Sequence, residues 1–432
     1  MAATHRLGCR RRHDGSVMRR RHLMLGCCGA LAAGLFTGLS AHAAGPLRNP
    51  CKGAWPASGA GQALVDEAFG GVDATRLVDT HAHLLGTGDA GSGCTIHPSM
   101  HQWWRPVEVL RRRAILDASC VAPDAPSIDR AYVERLRSLA ADFPPGARWW
   151  LYAFEQACDD AGQPRADWTT FHVPDAYAAQ VAGALPQRFA WVASVHPYRP
   201  DALARLDTAL AAGAVAVKWL PSAMNIDPRD PRCRPFCERL ARAGVPLVVH
   251  CGEEKAAPGA GRDDLVNPLL VRHLLDHGAN VIVAHCASLG RAADTDQKSA
   301  PLRPAFDLFA RLMDEPQWQG RLYADISAVF QRNRKPAVWR SVLQRQDWHH
   351  RLLHGSDHPL PGLMPLFSLP ALQQAGLLDE TDIEPLTRIR EYNPLLFDFV
   401  LKRRLRLGGT RLPAALFEAH ALTAVRPRQS ST

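Results

Sequence analysis

A closed (β/α)8 barrel, with long loops on the C-terminal face of its strands and extra helices at the C-terminus, is the α/β fold class that the sequence predicts. Three observations predict it. Short apolar runs recur along the chain, among them Ala214-Val-Ala-Val-Lys218, Val245-Pro-Leu-Val-Val-His250, Val281-Ile-Val-Ala-His285 and Arg351-Leu-Leu-His-Gly-Ser-Asp357. Uninterrupted apolar character of this kind marks strands covered on both faces of a parallel sheet. Each run closes on a histidine, lysine or aspartate, and stretches of helical spacing lie between the runs. Strand and helix in alternation imply a parallel sheet, and polar groups gathered at the C-terminal ends of several strands imply its closure into a barrel.

The chain has 432 residues, of which 47% are apolar and 22% charged. A single barrel with insertions takes roughly 250 to 400 residues, so one large core accounts for the bulk of the chain.

The first strand lies in Arg76-Leu-Val-Asp-Thr-His-Ala-His83. Side chains two apart on an extended chain share a face, so His81 and His83 point to one place. A lone His-x-His arises by chance in many chains, and it is the later polar strand ends that make a site of it. The glycine-rich loop at 84–101 ends in Ile96-His-Pro-Ser-Met-His-Gln-Trp-Trp104, where His97 and His101 read as solvated. Helical spacing marks 106–119 and 128–142, and Pro144-Pro-Gly146 stops the second. Strands follow at 148–154, which leaves Glu155 near a strand end, and at 189–195, which leaves His196 there. Both stand at the edge where substrate arrives, and surface hydrogen bonding explains either almost as well.

A helix at 201–212, stopped by Gly213, delivers the strand ending at Lys218. The loop 219–228 is long enough to fold over the mouth. A helix at 231–243 precedes the strand ending at His250, and Gly252-Glu-Glu254 sets two carboxylates nearby. One of them is placed to orient a ligand, while solvent exposure serves for both. A helix at 265–277, the strand to His285, a polar loop at 287–304 and a strand at 321–326 with Asp325 and Ser327 near its end come next. A helix at 336–346, the strand to Asp357 and closing helices at 370–377 and 382–405 complete the barrel, and 406–432 is a C-terminal extension.

The net charge of +9 invites a nucleic-acid or acidic-membrane partner, but its location argues against both. Seven arginines and Asp14 give residues 1–44 a net +6, which leaves +3, an ordinary surface, for everything else. Arg19-Arg-Arg21 precedes a mildly apolar run from Leu23 to Leu39, and Ala41-His-Ala43 follows as a small-x-small cleavage site. Residues 1–43 therefore read as a secretory signal, and Arg20-Arg21 makes it resemble the twin-arginine kind. Export to the periplasm, with no stable membrane anchor after cleavage, is the expectation. Residues 44–75 read as a leader with no chemistry. For an exported protein, Cys51 with Cys94 and Cys233 with Cys237 are imaginable disulfides. Cys251 and Cys286 read as small apolar core residues.

His-x-His after strand 1, histidine after strands 5 and 6, aspartate after strand 8, Leu353-His-Gly-Ser-Asp-His-Pro359, and Asn393-Pro394 with Leu396 and Phe397 together resemble one family. It is the amidohydrolase superfamily of metal-dependent TIM-barrel enzymes, in its amidohydrolase-related (amidohydrolase 2) branch, and the resemblance runs from about 77 to 405. Neutral imidazoles and one carboxylate suit a divalent ion, zinc by ligand type, which lowers the pKa of a bound water from about 15.7 to near 7. By spacing and by the family's pattern the metal ligands are His81, His83, His250 and Asp357, with Asp357 also taking the proton of the attacking water. His285 either binds a second ion or polarises the substrate. Lys218 carries three readings: a cation for a substrate carboxylate, a carbamate bridging two metals, or a structural ion pair. The resemblance implies hydrolysis of a small-molecule amide, ester or lactone. The alternative within the superfamily is a metal-dependent decarboxylase or lyase, and outside it a non-catalytic metal-binding barrel, which the presence of all five site residues opposes.

Overall fold

A computed structural model describes residues 48–52, 59–419 and 422. The signal-peptide reading of residues 1–43 lies outside them.

Eight parallel strands follow one another in chain order around a single sheet: β1 (Val78–His83), β2 (Arg148–Tyr152), β3 (Phe189–Ala193), β4 (Ala216–Trp219), β5 (Leu247–His250), β6 (Val281–Ala284), β7 (Leu322–Asp325) and β8 (Leu352–Leu353). β8 is shorter than the run that predicts it. Beyond Leu353 the chain leaves ladder geometry but still runs beside β1, and it closes the barrel there. Thr80 N–H donates to His354 O at 2.9 Å, Asp357 N–H to His81 O at 2.7 Å and His83 N–H to His358 O at 2.9 Å. Gly355 lies so close to β1 that a Cβ on it would stand 2.7 Å from the His81 Cβ. Only glycine fits this approach.

β1 carries an irregularity that decides where its histidines point. Its register against β2 slips between Asp79 and Ala82. Before the slip Val78 faces the barrel interior with Trp150, Val192, Val248 and Ile282, whereas after it Ala82 belongs to the layer between sheet and helices. One extra residue in a strand exchanges its two faces. His81 and His83 thus face inward because of the bulge.

The helices α1 (Gly59–Phe69), α2 (Pro106–Ala118), α3 (Ile128–Ala141), α4 (Asp175–Gly183), α5 (Ala202–Ala211), α6 (Cys233–Ala243), α7 (Val271–Asp276), α8 (Ala305–Asp314), α9 (Pro336–Gln344), α10 (Leu369–Gln374), α11 (Ile383–Tyr392) and α12 (Pro394–Arg404) include those that pack on the outside of the sheet. Ser127 starts α3 by accepting from the Arg130 N–H, and Gly244 ends α6 in the left-handed region. α4 is an element that the sequence reading does not contain. The single helix expected over 382–405 is two, because Asn393 Oδ1 accepts from both the Leu395 and Leu396 N–H at 3.0 Å and Pro394 opens a new helix. The helix expected over 265–277 is helical only as α7, after two 3-10 turns, one of which starts at Asn267-Pro268.

The leader packs on the barrel through α1, whose Phe69 stacks on Phe399 of α12 with centroids 4.7 Å apart. A disulfide joins Cys51 to Cys120. The pairings imagined from the sequence are not formed, since Cys94, Cys233 and Cys237 are free and buried, as are Cys251 and Cys286. No helix among the described residues is long and apolar enough to cross a membrane.

Candidate metal centre

The strand ends deliver the expected side chains to one place. Ligand atoms of His81, His285 and Asp357 lie within 4.8 Å of one another, all buried. His83 Nε2 stands 3.1 Å from Asp357 Oδ1, and His81 Nε2 stands 3.8 Å from the same oxygen. His285 Nε2 is 4.0 Å from Asp357 Oδ2. His250, from the end of β5, sits farther out, with its ring centroid 5.3 Å from that of His285 and its Nε2 3.4 Å from Glu254 Oε2. The compact cluster therefore includes His285, and His250 borders it.

Asp325, at the end of β7, orients the two central imidazoles. Its Oδ2 takes a hydrogen bond from His81 Nδ1 at 2.9 Å. Its Oδ1 accepts from the His285 N–H at 3.1 Å, the Ser327 N–H at 3.0 Å and, in a short bond, the Ser327 hydroxyl. With its proton given to Asp325, Ser327 Oγ accepts from His285 Nδ1 at 2.7 Å. Both rings are thus held in the tautomer whose Nε2 carries a lone pair toward Asp357. A carboxylate behind a ligating histidine fixes ring orientation in this way. In the sequence the only signal is Asp325-Ile-Ser327 at the end of an apolar run, which by itself carries no role.

Electrostatics set the protonation states. Burial pulls the His81 imidazole down to about 4, and it lowers His250 and, further, His285. Asp357 is held well below the usual carboxylate range: burial opposes this, and the imidazoles of His285, His83 and His81 outweigh it. Neutral imidazoles beside an ionised carboxylate are the states that a metal requires of its ligands. His81 Nε2 and His250 Nε2 are buried and have no hydrogen-bond partner among the described residues. Such orphaned atoms cost free energy unless something binds them, so the donor set fits a divalent cation.

Backbone strain collects here. His285, Cys286 and Ala287 have φ of 56°, 51° and 47°, and Asp357 has φ of 59°. Non-glycine residues in this region cost on the order of 1–3 kcal/mol each and persist where the surrounding structure over-determines them.

Lys218 is enclosed in the barrel, and among the described residues its Nζ forms no ion pair or hydrogen bond. Its Nζ lies 5.3 Å from the centroid of Tyr152, whose ring stacks on His81 at 4.5 Å. The reading of Lys218 as a structural ion pair is therefore not what the structure contains. Other candidates leave the site. His196 Nε2 donates to Met224 O at 2.7 Å while its Nδ1 accepts from the Tyr198 N–H at 3.2 Å, so it is a satisfied core histidine. Glu155 is buried beside Arg205 and accepts from the Gln156 N–H. His97 caps the turn at Ser99, and His101 is exposed.

The sequence pattern of the amidohydrolase family matches residues 78–394. The chain belongs to that family. The match spans the barrel from β1 to the start of α12. Among solved structures this amidohydrolase is similar to an uncharacterised TIM-barrel protein from Bordetella bronchiseptica, at 16% identity and a TM-score of 0.43, over 72% of this chain and 98% of that one. It is also similar to 5-carboxyvanillate decarboxylase from Sphingomonas paucimobilis, at 13% identity and a TM-score of 0.42, over 74% and 100%. A third is an amidohydrolase from Burkholderia multivorans with bound zinc, at 12% identity and a TM-score of 0.37, over 69% and 89%. No curated protein matches the chain.

Proposed function

We propose that this amidohydrolase is a metal-dependent hydrolase that cleaves a small-molecule amide, ester or lactone. One observation carries the reading: Asp357 is buried and ionised, 3.1 Å from His83 Nε2 and 3.8 Å from the unpartnered His81 Nε2. His81, His83 and Asp357 would hold one divalent ion, zinc by ligand type, with His250 as the fourth ligand. A cation there supplies Lewis acidity, to water or to a substrate oxygen.

The chain's own groups do the rest. Asp357 has only acceptor oxygens while ionised, so it takes the proton of the water that adds to the substrate carbonyl carbon. The carbon–nitrogen or carbon–oxygen bond then breaks, and the same carboxyl returns the proton to the leaving group. His285, neutral and donating through Nδ1 to Ser327, offers its Nε2 from the other side of Asp357. Tyr152 and the barrel wall exclude bulk water beneath the site.

A second reading, decarboxylation, keeps the same residues, and the buried Lys218 Nζ, without a partner among the described residues, favours it, since an enclosed ammonium suits a substrate carboxylate. We further propose that residues 1–43 direct export by the twin-arginine route and that 76–405 form the catalytic domain. Changing Arg20 and Arg21 to lysine then leaves the precursor in the cytoplasm, and unchanged periplasmic yield defeats the export reading.

The decisive experiment joins elemental analysis to a turnover screen of amides, esters, lactones and carboxylated aromatics. One ion per chain is expected, lost in the folded double variant His81→Ala/His83→Ala, with new acid from an amide, ester or lactone. Carbon dioxide release alone establishes the decarboxylase reading, and full metal occupancy in the double variant refutes the centre.

A further inference from the structure

Beyond the ligand cluster, the loop after β7 holds a group of hydrogen-bond donors that the chemistry above leaves unused. Gln331 is 1% exposed, and its Oε1 accepts from Arg334 Nη1 at 2.8 Å. That bond fixes the orientation of the amide and leaves Nε2 as the free end, buried and without an acceptor among the described residues. Arg334 is half-buried. Its Nε donates to Ser288 Oγ at 3.2 Å and its Nη1 also to Asn333 Oδ1 at 2.6 Å, while Nη2 has no acceptor among the described residues. Ser288 lies three residues after His285, so the guanidinium is tied to the rim of the site. Burial pulls Arg334 down to about 10, still cationic at neutral pH, and the carboxylates that face it are Asp357, Glu254 and Glu253. An enclosed amide N–H and a guanidinium edge, both short of acceptors, match a planar group with two acceptor oxygens.

Charge points the same way. Glu253 is half-exposed and pairs with Lys255, so within the enclosed site Lys218 and Arg334, both charged, stand against Asp325, Asp357 and Glu254, two against three. A divalent ion makes the site net +1, and a single carboxylate brings it to zero, which is the state that an enclosed site favours.

We propose that Gln331 and Arg334 form a carboxylate-binding subsite and that the natural substrate is a small carboxylic acid anchored there. This rests on the catalytic reading of the neighbouring histidines and adds the substrate class to it. Arg334 presents a guanidinium edge to one carboxylate oxygen and Gln331 Nε2 donates to the other, so a neutral analogue of the same shape forfeits the charge-assisted bond.

The test uses the full metal-loaded protein, with benzoate, benzamide and inorganic phosphate as probes in ligand-observed NMR titrations, and repeats them after chelation. Benzoate is expected to bind the metal-loaded protein about tenfold or more tightly than benzamide, with a smaller preference after chelation. Arg334→Gln and Gln331→Leu each remove most of that preference without changing metal content, and Arg334→Lys restores part of it. The subsite is refuted if Arg334→Gln binds benzoate as the wild type does, if phosphate outcompetes benzoate, or if the preference depends on Lys218→Met alone. Wild-type protein that takes up no metal when zinc is added, yet still prefers benzoate over benzamide, retains the subsite and defeats the metal-dependent reading, so the two failures are distinct.

Discussion

Replacing Asp325 with asparagine tests the idea that this carboxylate sets the tautomers of the metal site. The change is nearly isosteric. One oxygen remains to accept from the His285 N–H, the Ser327 N–H and the Ser327 hydroxyl, but an NH2 group now stands where Oδ2 received His81 Nδ1–H at 2.9 Å. Two donors then face each other in a fully enclosed place. His81 escapes the conflict by moving its proton to Nε2, and this removes the lone pair that a metal needs. Loss of an outer partner of a ligating histidine typically costs about 10- to 100-fold in metal affinity, or about 1.4 to 2.7 kcal/mol. Competition for zinc against a chromophoric chelator measures that loss, and circular dichroism establishes that the barrel is folded. Asp325→Glu, which keeps the charge but lengthens the arm, should lose less. A folded Asp325→Asn protein with wild-type zinc affinity would falsify the assignment of His81 as a ligand held by Asp325.

Other outcomes are expected away from the centre. His196 is enclosed and lowered to about 4 by burial, so the fold favours its neutral form; its stabilising contribution is present above the unfolded value near 6.5 and is lost as pH falls from there toward 4. The loss is on the order of 3 kcal/mol, and His196→Gln, which can still donate to Met224 and accept from Tyr198, should flatten urea-unfolding stability between pH 6.5 and 4; an unchanged slope counts against it. Opening the Cys51–Cys120 disulfide by Cys51→Ser/Cys120→Ser releases a loop of sequence separation 69, and the chain-entropy relation gives a loss of about 4 kcal/mol, readable by denaturant unfolding with and without reductant. Lys402 Nζ binds Asp398 and Gly355 O, each at 2.6 Å, within the core. Because burial keeps the Asp398 carboxyl at about 7 even beside the ammonium, Lys402→Met lets that carboxyl protonate, and the cost falls near 3 kcal/mol, the low end for a broken buried pair. Adding Asp398→Leu should recover most of it, and a double variant no more stable than the single one argues against the pairing.

What the sequence makes legible follows from chemistry that is local in the chain. Apolar runs ending in His250, His285, Lys218 and Asp357 identify strands because both faces of a barrel strand are covered; β4, β5, β6 and β8 lie in those runs, and the other four strands lie in the expected runs at 76–83, 148–154, 189–195 and 321–326. Helix boundaries fail where a tertiary contact or a cap intervenes, as at Asn393, whose side chain ends one helix and starts another while also donating to Leu139 O at 2.8 Å. The Cys51–Cys120 pairing is illegible because it depends on where the leader docks. Gln331 and Arg334 lie in a loop with no periodicity, and only the fold puts them beside Ser288 and the histidines.

The bulge in β1 joins these two kinds of legibility. Two-residue spacing places His81 and His83 on one face in any extended chain, but it does not say which face, and an unbroken strand from the inward-facing Val78 would have turned both histidines toward the helices. The extra residue that reverses the face sits against Gly355, on the segment that carries Asp357, so the same close approach that turns the imidazoles inward brings the carboxylate to them. His285 and Asp357 both occupy the left-handed region, and His81 and His250 leave buried nitrogens with no hydrogen-bond partner among the described residues. Each is a local cost in an otherwise consistent barrel, and costs persist together when one partner offsets all of them. A cation bound among these nitrogens and Asp357 would satisfy the orphaned atoms and hold the strained backbone at once.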